Sequence, residues 1–363
     1  MSLEQAHQKL DALEARYEQL GAQMLDPNII SDMKQYHQVN KAWSDLEPLV
    51  LTYREYRQTL RQIEESQELQ NDPDMRELAD ADLAELRPRR DELEQQLKLL
   101  LLPKDPNDSK NVIVEIRPAA GGEEAALFAG ELFRMYSRYT ERRGWKVEIM
   151  NAQDTGIGGF TDVVISIVGA GAYSQLKFES GVHRVQRVPA TESGGRIHTS
   201  TATVAVLPEA EEVEVEIDPN DVEIQISHSS SAGGQNVQKV ATAIRMVHKP
   251  TGIVVQCQDE RSQLQNKEKA YRQLRAKLYE REVAMANNNR TEARRSQVGT
   301  GDRSEKIRTY NFPDGRVTDH RINFTVWNVP GVLDGDIQPF IDRLVAADQA
   351  EKLKAESEAS ISG

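Results

Sequence analysis

Two glycines and a glutamine, Gly233, Gly234 and Gln235, sit in the segment Ser229-Ser230-Ser231-Ala232-Gly233-Gly234-Gln235-Asn236 and are the residues of this chain best suited to chemistry. Without a Cβ, the two glycines reach positive φ, so the backbone there can lie against another molecule and present an N–H where a larger residue would clash. Such main-chain donors stabilise an oxyanion or a departing alkoxide. A simple turn, or a loop cradling phosphate, would use the same three residues. The surroundings narrow the choice. Residues 233–300 hold 13 Lys and Arg against 6 Asp and Glu, whereas residues 1–110 hold 14 against 23, and the whole chain carries a formal charge of -13. A basic module inside an acidic chain implies one local contact with a polyanion.

A second segment, Val188-Pro189-Ala190-Thr191-Glu192-Ser193-Gly194-Gly195-Arg196-Ile197-His198-Thr199-Ser200, carries hydroxyls, an imidazole and a proline of fixed φ between two strand-like runs. A loop of this kind can hydrogen-bond to and stack on unpaired bases, the usual way proteins read single-stranded RNA. A polar hairpin tip has the same composition. A third segment, Arg294 to Arg303, is basic and contains glycine, and it reads as a flexible linker with phosphate contacts.

The elements that must position these segments follow from hydrophobic period. From Leu3 to about Leu102, Leu10, Leu13, Tyr17, Leu20 and Met24, and later Val39, Trp43, Leu46, Tyr53, Leu60 and Ile63, recur at helical spacing. They predict a helical hairpin or small bundle, broken at Asp26-Pro27-Asn28 and Asn71-Asp72-Pro73-Asp74 and ended by a linker from Leu102 to Asn107. Taken alone, this part is a scaffold or a partner-binding coiled coil. Strands are predicted at Val112 to Arg117, Trp145 to Met150, Asp162 to Val168, His183 to Val188 and Thr201 to Leu207, with helices from Glu123 to Arg143, stopped by Gly144, and from Tyr173 to Phe178. After an acidic stretch, Pro208 to Glu223, the pattern predicts a helix at Val237 to Val247, a strand at Gly252 to Gln258 and a long helix from Ser262 to about Asn288. The last part, Asn311 to Gly363, adds a Pro-Asp-Gly turn, a strand at Ile322 to Val326 and a closing amphipathic helix.

The Gly-Gly-Gln segment together with Pro250-Thr251-Gly252-Ile253-Val254-Val255 and Asp259-Glu260-Arg261-Ser262-Gln263 resembles the catalytic domain of class I peptide-chain release factors. The Pro189-Ala190-Thr191 tripeptide is similar to the codon determinant of the type that reads UAA and UAG; the Ser-Pro-Phe of the other bacterial type is absent from the loop. Arg308-Thr309-Tyr310-Asn311-Phe312-Pro313 and Val317-Thr318-Asp319-His320-Arg321 also match, so the resemblance covers the chain from about residue 110 onward, and the N-terminal helices only in kind.

The resemblance implies an α+β, multidomain protein: an N-terminal helical domain (1–106), a codon-recognition domain (107–220), a small α/β Gly-Gly-Gln hydrolysis domain (221–300), and a C-terminal segment (301–363) packed with the codon-recognition domain. The main-chain N–H of Gln235 would stabilise the transition state as water attacks the peptidyl-tRNA ester, with Gly233 and Gly234 shaping the loop and the Gln235 side chain a target of N5 methylation. Thr191 would contact the first and second codon bases, His198 would wedge between the second and third, and Gln186 and Thr199 would read the third. Gly121 and Glu124, at the start of a helix, would contact the first, though acidic residues also suit any first helical turn. Arg294, Arg295 and Arg303 would lie in a switch loop that rearranges on codon recognition. Ser231 and Asn236 depart from the residues most common in that family, glycine and histidine.

The implied partners are the ribosome, with its rRNA, the messenger stop codon and the P-site peptidyl-tRNA, a glutamine methyltransferase and a recycling GTPase release factor. No cofactor or metal is implied, and the expected state is a monomer that does not act as an autonomous enzyme. Composition agrees: with 38% hydrophobic and 28% charged residues, no 18-residue apolar run and no basic-then-apolar N-terminus, the chain is expected to be cytoplasmic. The single cysteine, Cys257, excludes an internal disulfide. Two alternatives keep parts of this pattern: a rescue hydrolase that ignores codons, and a noncatalytic RNA-binding scaffold.

Overall fold

The computed structural model describes residues 3–103, 105–189, 194–210, 217–228 and 241–361. The chain divides into two compact units, residues 1–106 with 342–363, and residues 107–341. In the first, α1 (Leu3–Gln23), α2 (Pro27–Ser31), α3 (Met33–Leu69) and α4 (Arg76–Leu100) follow the helical period of the sequence. Leu10, Leu49, Val50, Tyr53, Tyr56, Leu93 and Leu97 form a core shared by α1, α3 and α4. Asp26 caps α2 and Asp32 caps α3 through their carboxylates, so the Asp-Pro-Asn break is a restart of helix.

The second unit is built on an eight-stranded sheet: β1 (Val112–Pro118), β2 (Lys146–Asp154), β3 (Phe160–Val168), β4 (Gly181–Arg187), β5 (His198–Pro208), and three strands that return to it later. Helices α5 (Glu123–Arg142) and α6 (Ala172–Leu176) belong to its first half. α5 buries Ala125, Phe128, Ala129, Leu132, Met135 and Tyr136, an apolar stripe at helical spacing. It packs against β1, β3 and β5.

A three-stranded antiparallel sheet follows: β6 (Val222–Ser227), β7 (Ala243–His248) and β8 (Val254–Cys257), with α7 (Gln263–Val298) laid across it. Ala270, Leu274 and Leu278, each four residues apart on α7, close a core with Val222, Ile244, Met246, Val255 and Cys257. The chain then rejoins the large sheet through β9 (Lys306–Asn311), β10 (Arg316–Asp319) and β11 (Phe324–Val326), and ends in α8 (Val329–Leu333) and α9 (Gln338–Ile361). The sheet order is β11-β10-β9-β4-β5-β1-β3-β2, and β4 with β9 is its one parallel pairing among the described residues.

The α+β, multidomain class stands, and three local expectations are corrected. The helix at Val237 to Val247 is absent from the described part of that span: Ala243 to Val247 belong to strand β7, whose Ala243, Ile244 and Met246 are buried and which pairs with β6 on one side and β8 on the other. Its partner β6 begins inside the acidic stretch, where apolar residues alternate with polar ones. The long helix does not stop near Asn288 but runs to Val298, so Arg294 and Arg295 are helical rather than part of a loose linker. No proline interrupts it, and Gly299 at φ +54° closes it. Finally, β5 starts at His198, so His198 and Thr199 are strand residues and not loop residues.

Candidate nucleic-acid interface

Strand pairing places the described base-reading candidates. β4 and β5 are antiparallel neighbours in which Gln186 is opposite Thr199 and Arg187 is opposite His198. Residues directly opposite share a face and successive residues alternate, so Gln186 and Thr199 lie on one face and Arg187 and His198 on the other. A pair of short polar side chains on a strand end is held far more firmly than the same residues on a free loop. The main-chain O of Gln186 also accepts a hydrogen bond from Phe312 N at 3.0 Å, which fixes the same point from the side of β9.

The turn before α5 is brought to the same place. Ala119 N donates to Thr201 O at 2.8 Å and Thr201 N donates to Ala120 O at 2.7 Å, extending the β1–β5 ladder into residues 119–120. The Thr201 hydroxyl accepts from Ala120 N at 2.9 Å and donates to Gly301 O at 3.1 Å. One buried side chain therefore ties the turn before α5 to the turn after α7. Gly121, at φ +134°, sits so close to β5 that a Cβ there would come within 2.3 Å of Ser200 Oγ. Only glycine satisfies both that dihedral and that approach.

Glu124 differs from the expectation for its side chain. Its carboxylate is buried, 3% exposed, and Oε1 accepts from Arg187 Nε at 2.6 Å. Gly121, Gly122 and Glu123 of this turn are exposed, and at the two glycines what is presented is main chain. Arg187 also donates to Glu131 Oε1 at 2.5 Å and lies 5.2 Å from the centre of the Phe312 ring. Burial works against the Arg187 charge, but Glu131 and Glu124 outweigh it and raise its pKa above the ordinary value. Beside it, Leu127, Gly130, Arg134, Gly158, Val188 and Pro313 help to line a cleft of about 780 Å³.

Pro189 is buried at the end of β4, and His198 is exposed. Ala190 and Thr191 lie outside the described residues, as do Gly233, Gly234 and Gln235. The roots of the Gly-Gly-Gln segment are described. Asn266 on α7 is fully buried and ties the C-terminal root to the turn before α7: its Nδ2 donates to Thr242 O at 2.8 Å and Glu260 O at 2.9 Å, and its Oδ1 accepts from Glu260 N at 3.0 Å. Cys257 Sγ donates weakly to the same Oδ1 at 3.5 Å, so this cysteine is a buried strand residue. Of the switch candidates, Arg294 is paired with Glu115 at 3.0 Å while Arg295 and Arg303 are exposed.

Arg187, Thr201 and Asn266 were not singled out by sequence reading. The signal for Arg187 was a cation between Gln186 and the Pro-Ala-Thr tripeptide, and for Asn266 an amide three residues past the Asp-Glu-Arg-Ser-Gln run. Among the described residues no group of His, Cys, Asp or Glu could hold a metal ion, and no helix is long and apolar enough to cross a membrane.

Comparison with known proteins bears on these two modules. Residues 13–204 match the PCRF domain and residues 211–321 the RF-1 domain. A protein of Carboxydothermus hydrogenoformans described as peptide chain release factor 1 is 58% identical over 349 residues, covering 95% of this chain and 98% of that protein. One of Clostridioides difficile with the same description is 57% identical over 350 residues, covering 96% and 99%. Among solved structures, RF2 of Thermus thermophilus aligns with a TM-score of 0.48 and 34% identity over 96% of each chain.

Proposed function

The chain belongs to the peptide chain release factor 1 family, and on that premise we propose that it reads UAA and UAG with the β4–β5 tip and the turn before α5. It acts in translation termination at the ribosome, recognising a stop codon and promoting hydrolysis of peptidyl-tRNA. The observation that carries the codon reading is convergence. Gly121, Glu124, Gln186, Pro189, His198 and Thr199 come from three separate stretches of chain and gather at one end of one sheet. In this reading Gln186 and Thr199, sharing a face, take the third base, His198 stacks beside it, and Thr191 completes the tip.

Hydrolysis would fall to residues 233–235, with the Gln235 N–H stabilising the developing oxyanion and the ribosome and tRNA supplying the rest of the site. The protein is then no autonomous enzyme. Residues 107–220 with 301–363 form the reading part, 221–300 the hydrolytic part and 1–106 a helical domain for a further contact. A glutamine methyltransferase acting on Gln235, a recycling GTPase, a monomeric state and a cytoplasmic location complete the reading.

The test is peptide release from ribosomes programmed with each stop codon. Release with UAA and UAG but not UGA is expected. Gln235→Pro, which removes the N–H, should abolish release while codon-dependent binding persists, and Gln235→Ala should retain more activity. Equal release by both variants would reject the backbone role, and release on messages ending without a stop codon would favour a rescue hydrolase.

A further inference from the structure

Arg187 is where the parts of the candidate interface meet. It is strand-paired with His198, follows Gln186, and stands two residues before Pro189. Its Nε lies 2.6 Å from Glu124 Oε1, its Nη1 2.5 Å from Glu131 Oε1, and its Cζ 5.2 Å from the Phe312 ring centre. The side chain is 15% exposed. The second oxygens of both carboxylates, Glu124 Oε2 and Glu131 Oε2, are buried with no hydrogen-bond partner among the described residues.

This is not the kind of exposed pair that contributes little. Removing the cation would leave the buried Glu124 carboxylate and the half-buried Glu131 carboxylate facing each other across two turns of α5. Glu124 and Glu131 are seven residues apart on one face of the helix, about 10 Å along its axis. A planar guanidinium that grips both fixes the rotation of α5 and its position along the axis relative to the end of β4. Lysine, a single point charge, cannot do both. Because the Glu124 carboxylate is turned inward, the exposed turn before α5 offers main chain at Gly121 and Gly122, and a backbone group is aimed only by how the helix beside it is held.

We propose that Arg187 is a positioning residue for the first base of the codon, setting the main chain of Gly121 to Glu124 against the β4–β5 tip. The proposal rests on the codon-reading function above and names the residue that makes its first position specific. Glu131 is the second anchor of the same device, and Phe312 is the platform that keeps the guanidinium flat.

The experiment measures half-saturating concentration and saturating release rate on UAA, on the first-position variant CAA and on the third-position variant UAU, for wild type, Arg187→Lys and Glu131→Gln. For Arg187→Lys the half-saturating concentration on UAA should rise about tenfold, the equivalent of one charge-assisted hydrogen bond, with the saturating rate nearly unchanged. Discrimination of UAA over CAA should fall while that of UAA over UAU holds. Glu131→Gln leaves the Glu124 pair in place and should move the same ratio in the same direction by less, which keeps the proposal testable should the lysine variant fold poorly. Full rescue by lysine overturns the proposal, as does equal loss at both codon positions accompanied by a lower melting temperature. If wild type itself releases no peptide on UAA, the codon reading fails, and that outcome is visible without any variant.

Discussion

The side-chain amide of Gln297 stands in for a strand beside Val206: its Oε1 accepts from Val206 N and its Nε2 donates to Val206 O, each at 2.9 Å. β4 pairs with β5 only as far as Val204, so the main-chain groups of Val206 that point away from β1 have no strand to meet. The end of α7 is thereby fastened to the large sheet. Gln297→Leu leaves a donor and an acceptor unmatched and should cost about 1–3 kcal/mol locally. Hydrogen exchange at the Val206 amide should accelerate, with the last turn of α7 losing protection; unchanged exchange at both would refute the fastening.

Arg308 is the largest fully buried side chain among the described residues. Its Nη1 and Nη2 donate to the two oxygens of Glu179, each at 2.7 Å, Nη2 also reaches Asp319 at 3.1 Å, and its Cζ lies 4.3 Å from the Phe340 ring centre. Burial opposes its charge, yet Glu179 above all holds it protonated. Arg308→Met removes the only cation paired with the buried Glu179 among the described residues, while Asp319 keeps Arg321 at 2.7 Å, so a loss of about 3–5 kcal/mol is expected in denaturant unfolding of the sheet-containing unit. A loss under about 1 kcal/mol, the value of an exposed pair, would show that water reaches the site.

His183 predicts an acid weakness. Its Nε2 lies 3.0 Å from Glu179 O, a pure acceptor, so Nε2 carries the proton and Nδ1 accepts from the Tyr310 hydroxyl at 3.2 Å. Burial first, and Arg308 second, depress its pKa to about 4. A depressed histidine favours the unfolded chain once protons are available. Stability is therefore full above the unfolded value near 6.5 and declines as pH falls toward 4, by up to about 3 kcal/mol. Glu179 and Asp319, both lowered, give way only below the usual carboxylate range. Unfolding measured from pH 7 to 4.5 should show the slope, and His183→Gln should flatten it by about one proton; an identical slope in the variant would remove His183 from the account.

Asn266 lets the two proposed activities be tested apart. Replacing it with Leu leaves Thr242 O and both main-chain groups of Glu260 without their partner, at about 1–3 kcal/mol for each buried group. The C-terminal root of the Gly-Gly-Gln segment, at Thr242, then loosens while the β4–β5 tip is untouched. Saturating release rate should drop with half-saturating concentration on UAA nearly constant. A change in the concentration alone would contradict this division.

Local pattern made much of the fold legible. Val112 to Arg117 and Glu123 to Arg143 announce a strand and a helix because branched residues and helical spacing act over a few positions. β7 misled because Ala-Thr-Ala-Ile-Arg-Met carries helix-friendly residues, and only pairing with β6 and β8 makes it a strand. The candidate interface was half legible: Gln186, His198 and Thr199 stand in strings that the resemblance marks. Arg187 with Glu131, Thr201 with Gly301, and Arg308 with Glu179 are separated by 56, 100 and 129 residues, and no periodicity reports on such pairs.

The parallel pairing of β4 with β9 has a consequence for birth of the molecule. The two strands, ending at Arg187 and beginning at Lys306, are neighbours in space but lie on either side of the whole β6–α7 module. At about 5–20 residues per second, the intervening segment takes on the order of ten seconds to synthesise. During that interval the β4 rim, Glu179 and Arg187 wait for β9, Arg308 and Phe312, chain that does not yet exist. Looping out the module adds little to the equilibrium cost, since closure entropy grows only with the logarithm of length. Its price is kinetic: a nascent chain that is open to strand-seeking neighbours until roughly its last sixth emerges.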